Sequence, residues 1–147
     1  MNNIRIAPMT EADIRDVMPL EISSFPDPWS PLAFVEDLRL NPCARYFVAK
    51  DEADTVCGYI GYWITPDKVD ILKIAVASEC RKVGVGKALV QFARRNESSK
   101  GCLRVFVRTK NYGAQAFYKA LGFQDVGIAK NYYTHPQDDA LIMMSAD

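Results

Sequence analysis

The sequence predicts an α/β (α+β) fold, a mixed sheet of about seven strands with helices packed on its faces. Three observations lead there. Runs rich in valine, isoleucine and aromatics alternate with segments of helical apolar spacing. Proline, glycine and Asx punctuation separates them at short intervals. Read in sequence, the elements follow the order β-α-α-β-β-β-α-β-α-β-β, which fits a single domain over residues 1–147.

Ile4-Arg5-Ile6 alternates as a short strand, and Pro8 ends it. Thr10 and Asp13 have capping-box spacing and open a helix with Ile14, Val17 and Met18 on its apolar face. The run Ser23-Ser24-Phe25-Pro26-Asp27-Pro28-Trp29 is expected outside any helix, because two prolines restrict themselves and the residues before them. Ser30-Pro31 restarts a helix as N-cap and first position, with Leu32, Val35 and Leu38 as its buried stripe. Arg45 to Ala49 and Val56 to Ile64 flank a polar turn and pair as a hairpin. Pro66-Asp67-Lys68 turns the chain into a strand from Val69 to Val76. Lys87 to Arg95 is helical with Ala88, Leu89 and Phe92 inward, and Leu103 to Arg108 is a strand. Asn111 caps a helix reaching Leu121, and Gly122 ends it in the left-handed conformation. Strands from Phe123 to Tyr133 and from Asp139 to Met144 complete the order.

Composition excludes several classes of function. Lysine plus arginine total 18 and aspartate plus glutamate total 18, so no global field draws nucleic acid or an anionic membrane. The longest apolar stretch, Val56 to Ile64, is too short to span a bilayer. Met1-Asn2-Asn3-Ile4-Arg5 lacks the apolar core of a signal peptide. Cys43, Cys57, Cys80 and Cys102 form no C-x-x-C pair, which argues against a metal site and for buried or half-buried thiols in a reducing cytoplasm.

The segment most informative about chemistry runs from Ile71 through Arg81-Lys82-Val83-Gly84-Val85-Gly86 to Leu89, a strand, a turn and then a helix. Two glycines at i and i+2 let backbone approach a ligand without Cβ interference. The free amides and the dipole of the following helix favour an anion there, and Arg81, Lys82 and Lys87 add positive charge. A diphosphate suits such a place. By spacing alone, the segment fits equally well a glycine-rich turn with solvated basic residues. The third glycine of the dinucleotide fingerprint and the G-K-[ST] of a Walker loop are both missing.

Arg81-Lys82-Val83-Gly84-Val85-Gly86 resembles the R-x-x-G-x-G/A signature of the GNAT superfamily of N-acetyltransferases. Downstream, Asn111-Tyr112-Gly113-Ala114-Gln115-Ala116-Phe117-Tyr118-Lys119-Ala120-Leu121-Gly122-Phe123 resembles the family's N-x-x-A-x-x-[LF]-Y-x-x-x-G-F helix, and similarity can be followed from Ile4 to Met144. Within the superfamily the likeness is to the RimI-type ribosomal-protein alanine N-acetyltransferases. It is carried by Ser24-Phe25-Pro26-Asp27-Pro28-Trp29-Ser30, Lys130-Asn131-Tyr132-Tyr133 and Asp138-Asp139-Ala140-Leu141-Ile142-Met143.

That resemblance implies a mostly antiparallel sheet, helices on both faces and a splay between strands 4 and 5. It implies acetyl-CoA as cosubstrate, its pyrophosphate on the amides of Arg81 to Gly86 and its pantetheine arm along Ile74, Ala75 and Val76. Asn111 matches a cofactor-contacting position, and Tyr118 matches both a cofactor contact and the acid that protonates the leaving thiolate. Asn111 and Tyr118, seven residues apart, are expected on one helical face. Phe25, Tyr132 and Tyr133 match the acceptor side, with Trp29 read as packing. Strand alternation is expected to let only one of the two tyrosines touch substrate.

The general base departs from the RimI pattern, since Phe106 in Val105-Phe106-Val107-Arg108 stands at the usual glutamate position. Three readings stay open. Asp70 falls where other branches place a proton acceptor, and it equally suits a carboxylate facing solvent. Asp138 or His135 can approach from the last hairpin. In the third reading there is no strong base, because an α-amine titrates at roughly 7.7–8.0 against about 10.4 for lysine. Lys73 stands where the RimI pattern has asparagine, and alternation puts it on the face of Ile71 and Ala75, with Asp70 and Glu79 its nearest acids in sequence. The expected acceptor is a protein or peptide α-amine, and the expected assembly a monomer or weak dimer. A small-molecule amine acetyltransferase and a non-catalytic acetyl-CoA sensor are the competing readings.

Overall fold

Residues 3–81 and 83–145 are described by the computed structural model. The strands are β1 (Arg5–Pro8), β2 (Ala44–Lys50), β3 (Val56–Ile64), β4 (Val69–Val76), β5 (Leu103–Arg108), β6 (Gln124–Thr134) and β7 (Gln137–Ser145). The helices are α1 (Ile14–Ser24), α2 (Pro31–Leu40), α3 (Val85–Asn96) and α4 (Tyr112–Ala120). They occur in the order read from the sequence. All seven strands form one sheet in the order β1-β2-β3-β4-β5-β7-β6. Every pairing is antiparallel except β4 with β5.

Two clusters of buried side chains fix which helix lies on which face. Leu89, Val90 and Ala93 of α3 and Tyr118 of α4 pack on Tyr62, Val69, Ile71 and Val105. Ile14, Val17 and Leu20 of α1 and Phe34 of α2 pack on Tyr46, Val48, Tyr59 and Ala75 on the opposite face. Among the described residues no helix is long and apolar enough to cross a membrane.

The capping box forms as read: Thr10 N–H donates to Asp13 Oδ2 at 2.8 Å, opening a 3-10 turn that runs into α1. Two details of the helices differ from expectation. α1 continues through Ser23 and Ser24, and only Phe25, the residue before Pro26, turns extended at φ −128° and ψ 135°. The proline restriction acts on its immediate predecessor and no further back. On α2, Phe34 is fully buried while Leu32 is 63% exposed, so the inward stripe is centred one position from where the leucines suggested. Phe34 meets Trp29, Tyr46 and Tyr59 ring to ring, and that aromatic contact sets the helix rotation.

Strands β4 and β5 pair over only Val69–Ile71 and Leu103–Val105. Beyond that, β4 stays paired to β3 as far as Val76 and β5 to β7 as far as Arg108. The two strands therefore diverge, leaving a gap in the middle of the sheet. β4 also carries an extra residue where Gly61 pairs with Lys73 but Tyr62 pairs with Ile71. Such a bulge reverses the face on which later side chains emerge. Lys73 and Ala75 therefore point to the α1–α2 face, while Ile71 points to the α3–α4 face, which corrects the expectation that all three share one side.

Candidate active site

At the C-terminal end of the gap, β4 gives way to a 3-10 turn (Ser78–Cys80) and then to the glycine loop. Gly84 is the N-cap of α3 at φ 88°, a left-handed conformation that L side chains rarely adopt. That turn aims the first amides of α3 outward, where they have no intrahelical acceptor. A Cβ on Gly86 would lie 3.1 Å from the Phe117 ring, so the glycine permits close approach of α3 to α4. Arg81 donates from Nε to the Val76 carbonyl at 3.1 Å and stays exposed, as does Lys87. The first turn of α3 contains no acidic residue. Amides, dipole and basic side chains thus suit a diphosphate. Val83, Gly84, Val85 and Gly86 line this loop, and Lys82 lies outside the described residues.

Ile74, Ala75 and Val76 form the β4 side of the gap, beyond its last pair with β5. Asn111 is exposed and caps α4, its Oδ1 accepting the Ala114 N–H at 3.1 Å. Tyr118, two turns on, is buried between Phe117 and Phe123, with ring centroids 5.0 and 5.1 Å away. The shared face expected for Asn111 and Tyr118 is thus divided into a wet end and a dry end. Burial, reinforced by the nearby Tyr133, raises the Tyr118 pKa well above its ordinary value.

The other side of the gap is aromatic. Phe106 is the first β5 residue past the last pair with β4, and its ring stacks on Tyr132 at 4.8 Å and 14°. Tyr133 donates its hydroxyl to the Phe106 carbonyl at 3.1 Å, and its ring meets Tyr132 edge-on at 4.9 Å. Both tyrosines therefore gather at Phe106. The expected alternation fails because the β6 register shifts between Ala129 and Tyr133, with Asn131 at φ 54°. Burial raises the Tyr133 pKa to about 12, helped by neighbouring Tyr132.

None of the three candidate bases stands free at this mouth. Asp70 accepts a two-pronged bond from Arg104, 2.7 Å from Nε and 3.0 Å from the terminal nitrogen, and the Arg104 guanidinium sits 5.2 Å from the Phe106 ring. Asp138 accepts from Thr109 Oγ1 at 2.6 Å and from the Lys110 amide; the Thr109 bond leads in holding its pKa below the usual carboxylate range. His135 is exposed in the β6–β7 turn beside Thr134, 2.9 Å from its hydroxyl.

Sequence reasoning missed one member of the site. Glu21 is fully buried in α1 and pairs with Lys73 at 2.8 Å. Its carboxylate also accepts the Trp29 amide at 2.8 Å and the Tyr59 hydroxyl. Burial lowers the Lys73 pKa, with the Glu21 carboxylate opposing that shift. Lys73 thus takes its partner from a distant helix rather than from Asp70 or Glu79. The signal was present: Glu21 continues the i, i+3, i+7 spacing of Ile14 and Val17, an acid in an apolar stripe. Phe25 and Trp29, on the loop between α1 and α2, flank Lys73 with ring centroids 5.5 and 3.8 Å from Nζ.

Residues 14–123 match the Acetyltransferase (GNAT) family. The chain is 40% identical over 133 residues to a Bacillus subtilis (strain 168) protein provisionally named a ribosomal protein bS18-alanine N-acetyltransferase; the match covers 89% of this chain and 87% of that one. It is 32% identical over 150 residues to the N-alpha-acetyltransferase RimI of Mycobacterium tuberculosis (strain ATCC 25618 / H37Rv), covering 95% and 90%. The crystal structure of the Escherichia coli ribosomal-protein-S18-alanine N-acetyltransferase shares the fold, with a TM-score of 0.83 at 24% identity over 97% of this chain and 93% of that one. With its glycine loop, its divided sheet and these relatives, this chain belongs to the GNAT family and is an acetyltransferase.

Proposed function

We propose that this chain acetylates the N-terminal α-amine of a protein, with a ribosomal protein such as bS18 as the first acceptor to try. The observation that carries this reading is the gap between β4 and β5, with an anion cradle at one end and an aromatic mouth without a free carboxylate at the other. Acetyl-CoA, when bound, supplies the acetyl group as a thioester. Val83, Gly84, Val85 and Gly86 hold the pyrophosphate by their amides. Arg81, whose amide is bonded to the Ser78 carbonyl, adds positive charge, and Lys82, outside the described residues, belongs to the same proposed set. Ile74, Ala75 and Val76, paired with β3 on one side, offer the pantetheine arm the strand edge that β5 has left, and Asn111 lies at the cap of α4. Phe25, Tyr132 and Tyr133 guide the arriving amine.

Tyr118, a phenol protonated at neutral pH, holds the proton for the departing sulfur. For the amine, the better reading is no strong base. Asp70 is occupied by Arg104, and Phe106 takes no proton. An α-amine with a pKa of roughly 7.7–8.0 already has a usable neutral fraction, whereas a lysine near 10.4 does not. Acceptor choice therefore falls to N-termini, and the cytoplasm is the setting in which a ribosomal-protein acceptor would be met.

The test is free-CoA release with product masses, using peptides with free N-termini (the bS18 terminus among them), the same peptides blocked at the α-amine but containing lysine, and a panel of small amines. Acetylation of the free termini alone is the expected result. Products from small amines alone would overturn the protein acceptor. Acetyl-CoA binding with no product from any amine would point to a sensor.

A further inference from the structure

The Glu21–Lys73 pair lies outside every role assigned above. Glu21 is fully buried and Lys73 is 8% exposed, although they are separated by 52 positions in sequence. One carboxylate gathers donors from three elements: Lys73 Nζ from β4, the Tyr59 hydroxyl from β3 and the Trp29 amide from the loop between α1 and α2. The ammonium also sits in an aromatic cage, 3.8 Å from the Trp29 ring centroid, 5.1 Å from Phe34 and 5.5 Å from Phe25.

A buried ion pair adds little to stability compared with apolar packing of the same volume, but it tolerates few geometries. Here the single satisfied geometry joins two places that matter. Lys73 is at the β4 bulge where the gap opens, and Trp29 is on the loop that carries Phe25. We propose that Lys73 is a positioning residue for the acceptor: through Glu21 it latches the Phe25–Ser30 loop against β4 where the gap opens. This rests on the acceptor reading given above. Lysine at this position ties the acceptor loop to the strand that faces the acyl group, and does so without touching either substrate.

The test compares Lys73→Met, Glu21→Met and the double variant in the full chain. Hydrogen exchange of the Phe25, Asp27 and Ser30 amides is followed without substrates, alongside thermal midpoint, acetyl-CoA affinity and acceptor KM. Pro26 and Pro28 have no N–H, and Trp29 loses its own acceptor with Glu21. Each single variant leaves one buried charge unpaired and melts earlier; the double variant, with neither charge, melts above both. The latch predicts that exchange at these three amides, none of which bonds the Glu21 carboxylate, stays fast in the double variant. It also predicts an acceptor KM raised by about tenfold to a hundredfold there, with acetyl-CoA affinity unchanged. Return of loop protection and acceptor KM together with stability would make the pair merely structural and overturn the proposal. So would unchanged exchange in the variants. Should a single variant fail to fold, the double variant decides between latch and structural pair by itself. Exchange needs no acceptor, so a wild-type protein that acetylates no peptide sinks the function proposed above while the latch is still judged.

Discussion

At the scale of single residues, Tyr118 makes the sharpest demand. Its phenol is buried between Phe117 and Phe123, so removing the hydroxyl leaves the packing in place and removes only the proton. Tyr118→Phe should lower kcat by about 10²–10⁴ with acetyl-CoA affinity unchanged, measured by CoA release and by binding titration. Unchanged turnover would take Tyr118 out of the mechanism. Asp70 makes the opposite demand. Its carboxylate is forked onto Arg104, so Asp70→Asn should leave the acidic limb of the kcat/KM profile where it was. A displaced limb would restore Asp70 as the proton acceptor. The sequence could place both residues but could state the surroundings of neither: Asp70 has its partner on a strand 34 positions away, and only the parallel register aligns them.

At the scale of elements, the glycine loop was legible because its signal is local. A left-handed turn requires glycine, and an anion requires free amides at a helix start, so a few adjacent residues state both. Gly84→Ala forces a Cβ into φ 88° although nothing crowds that position. The expected cost is about 1–2 kcal/mol of backbone strain, seen as a lower thermal midpoint and weaker acetyl-CoA binding. Gly84→Asn should recover part of both, since asparagine tolerates this conformation, and equal loss in the two variants would show that strain is not the cause. The strand details were less legible. The bulge in β4 and the shifted register of β6 each move side chains across a face, and neither is marked by a residue that demands it. Strand alternation therefore failed for Lys73 and for the tyrosine pair, while the order of elements, which rests on long apolar periodicities, survived intact. Leu32 failed for a related reason: helical spacing gives the period, but the aromatic neighbours of Phe34 choose the phase.

At the scale of the whole molecule, ionisable side chains tie together elements that sequence separates, and this gives stability a definite dependence on pH. Asp13 at the start of α1 pairs with Lys50 of β2 at 2.9 Å, and Asp138 at the start of β7 holds Thr109 after β5. For Asp13, burial pushes the pKa up but is outweighed by the Thr10 amide, Lys50 and the Thr10 hydroxyl, so the net shift is downward; Asp138 is lowered chiefly by Thr109. A carboxylate with a lowered folded pKa stabilises above its unfolded value, about 3.9, and that contribution is lost as pH falls through the folded pKa. Buried tyrosines act at the other end. Burial is the leading cause that raises Tyr46, Tyr59, Tyr62 and Tyr118 above their ordinary value. Their contribution is complete below about pH 10 and is lost as pH rises through the folded values. Thermal midpoints should therefore be level between about pH 5 and 9 and fall on both sides. Asp13→Asn should lower the plateau and flatten the acid limb. Because Asp13 is also the leading cause that raises Lys50, the lysine part of the alkaline limb should soften while the tyrosine part stays. An acid limb of unchanged slope in that variant would mean that the tie between α1 and β2 plays no part in acid unfolding.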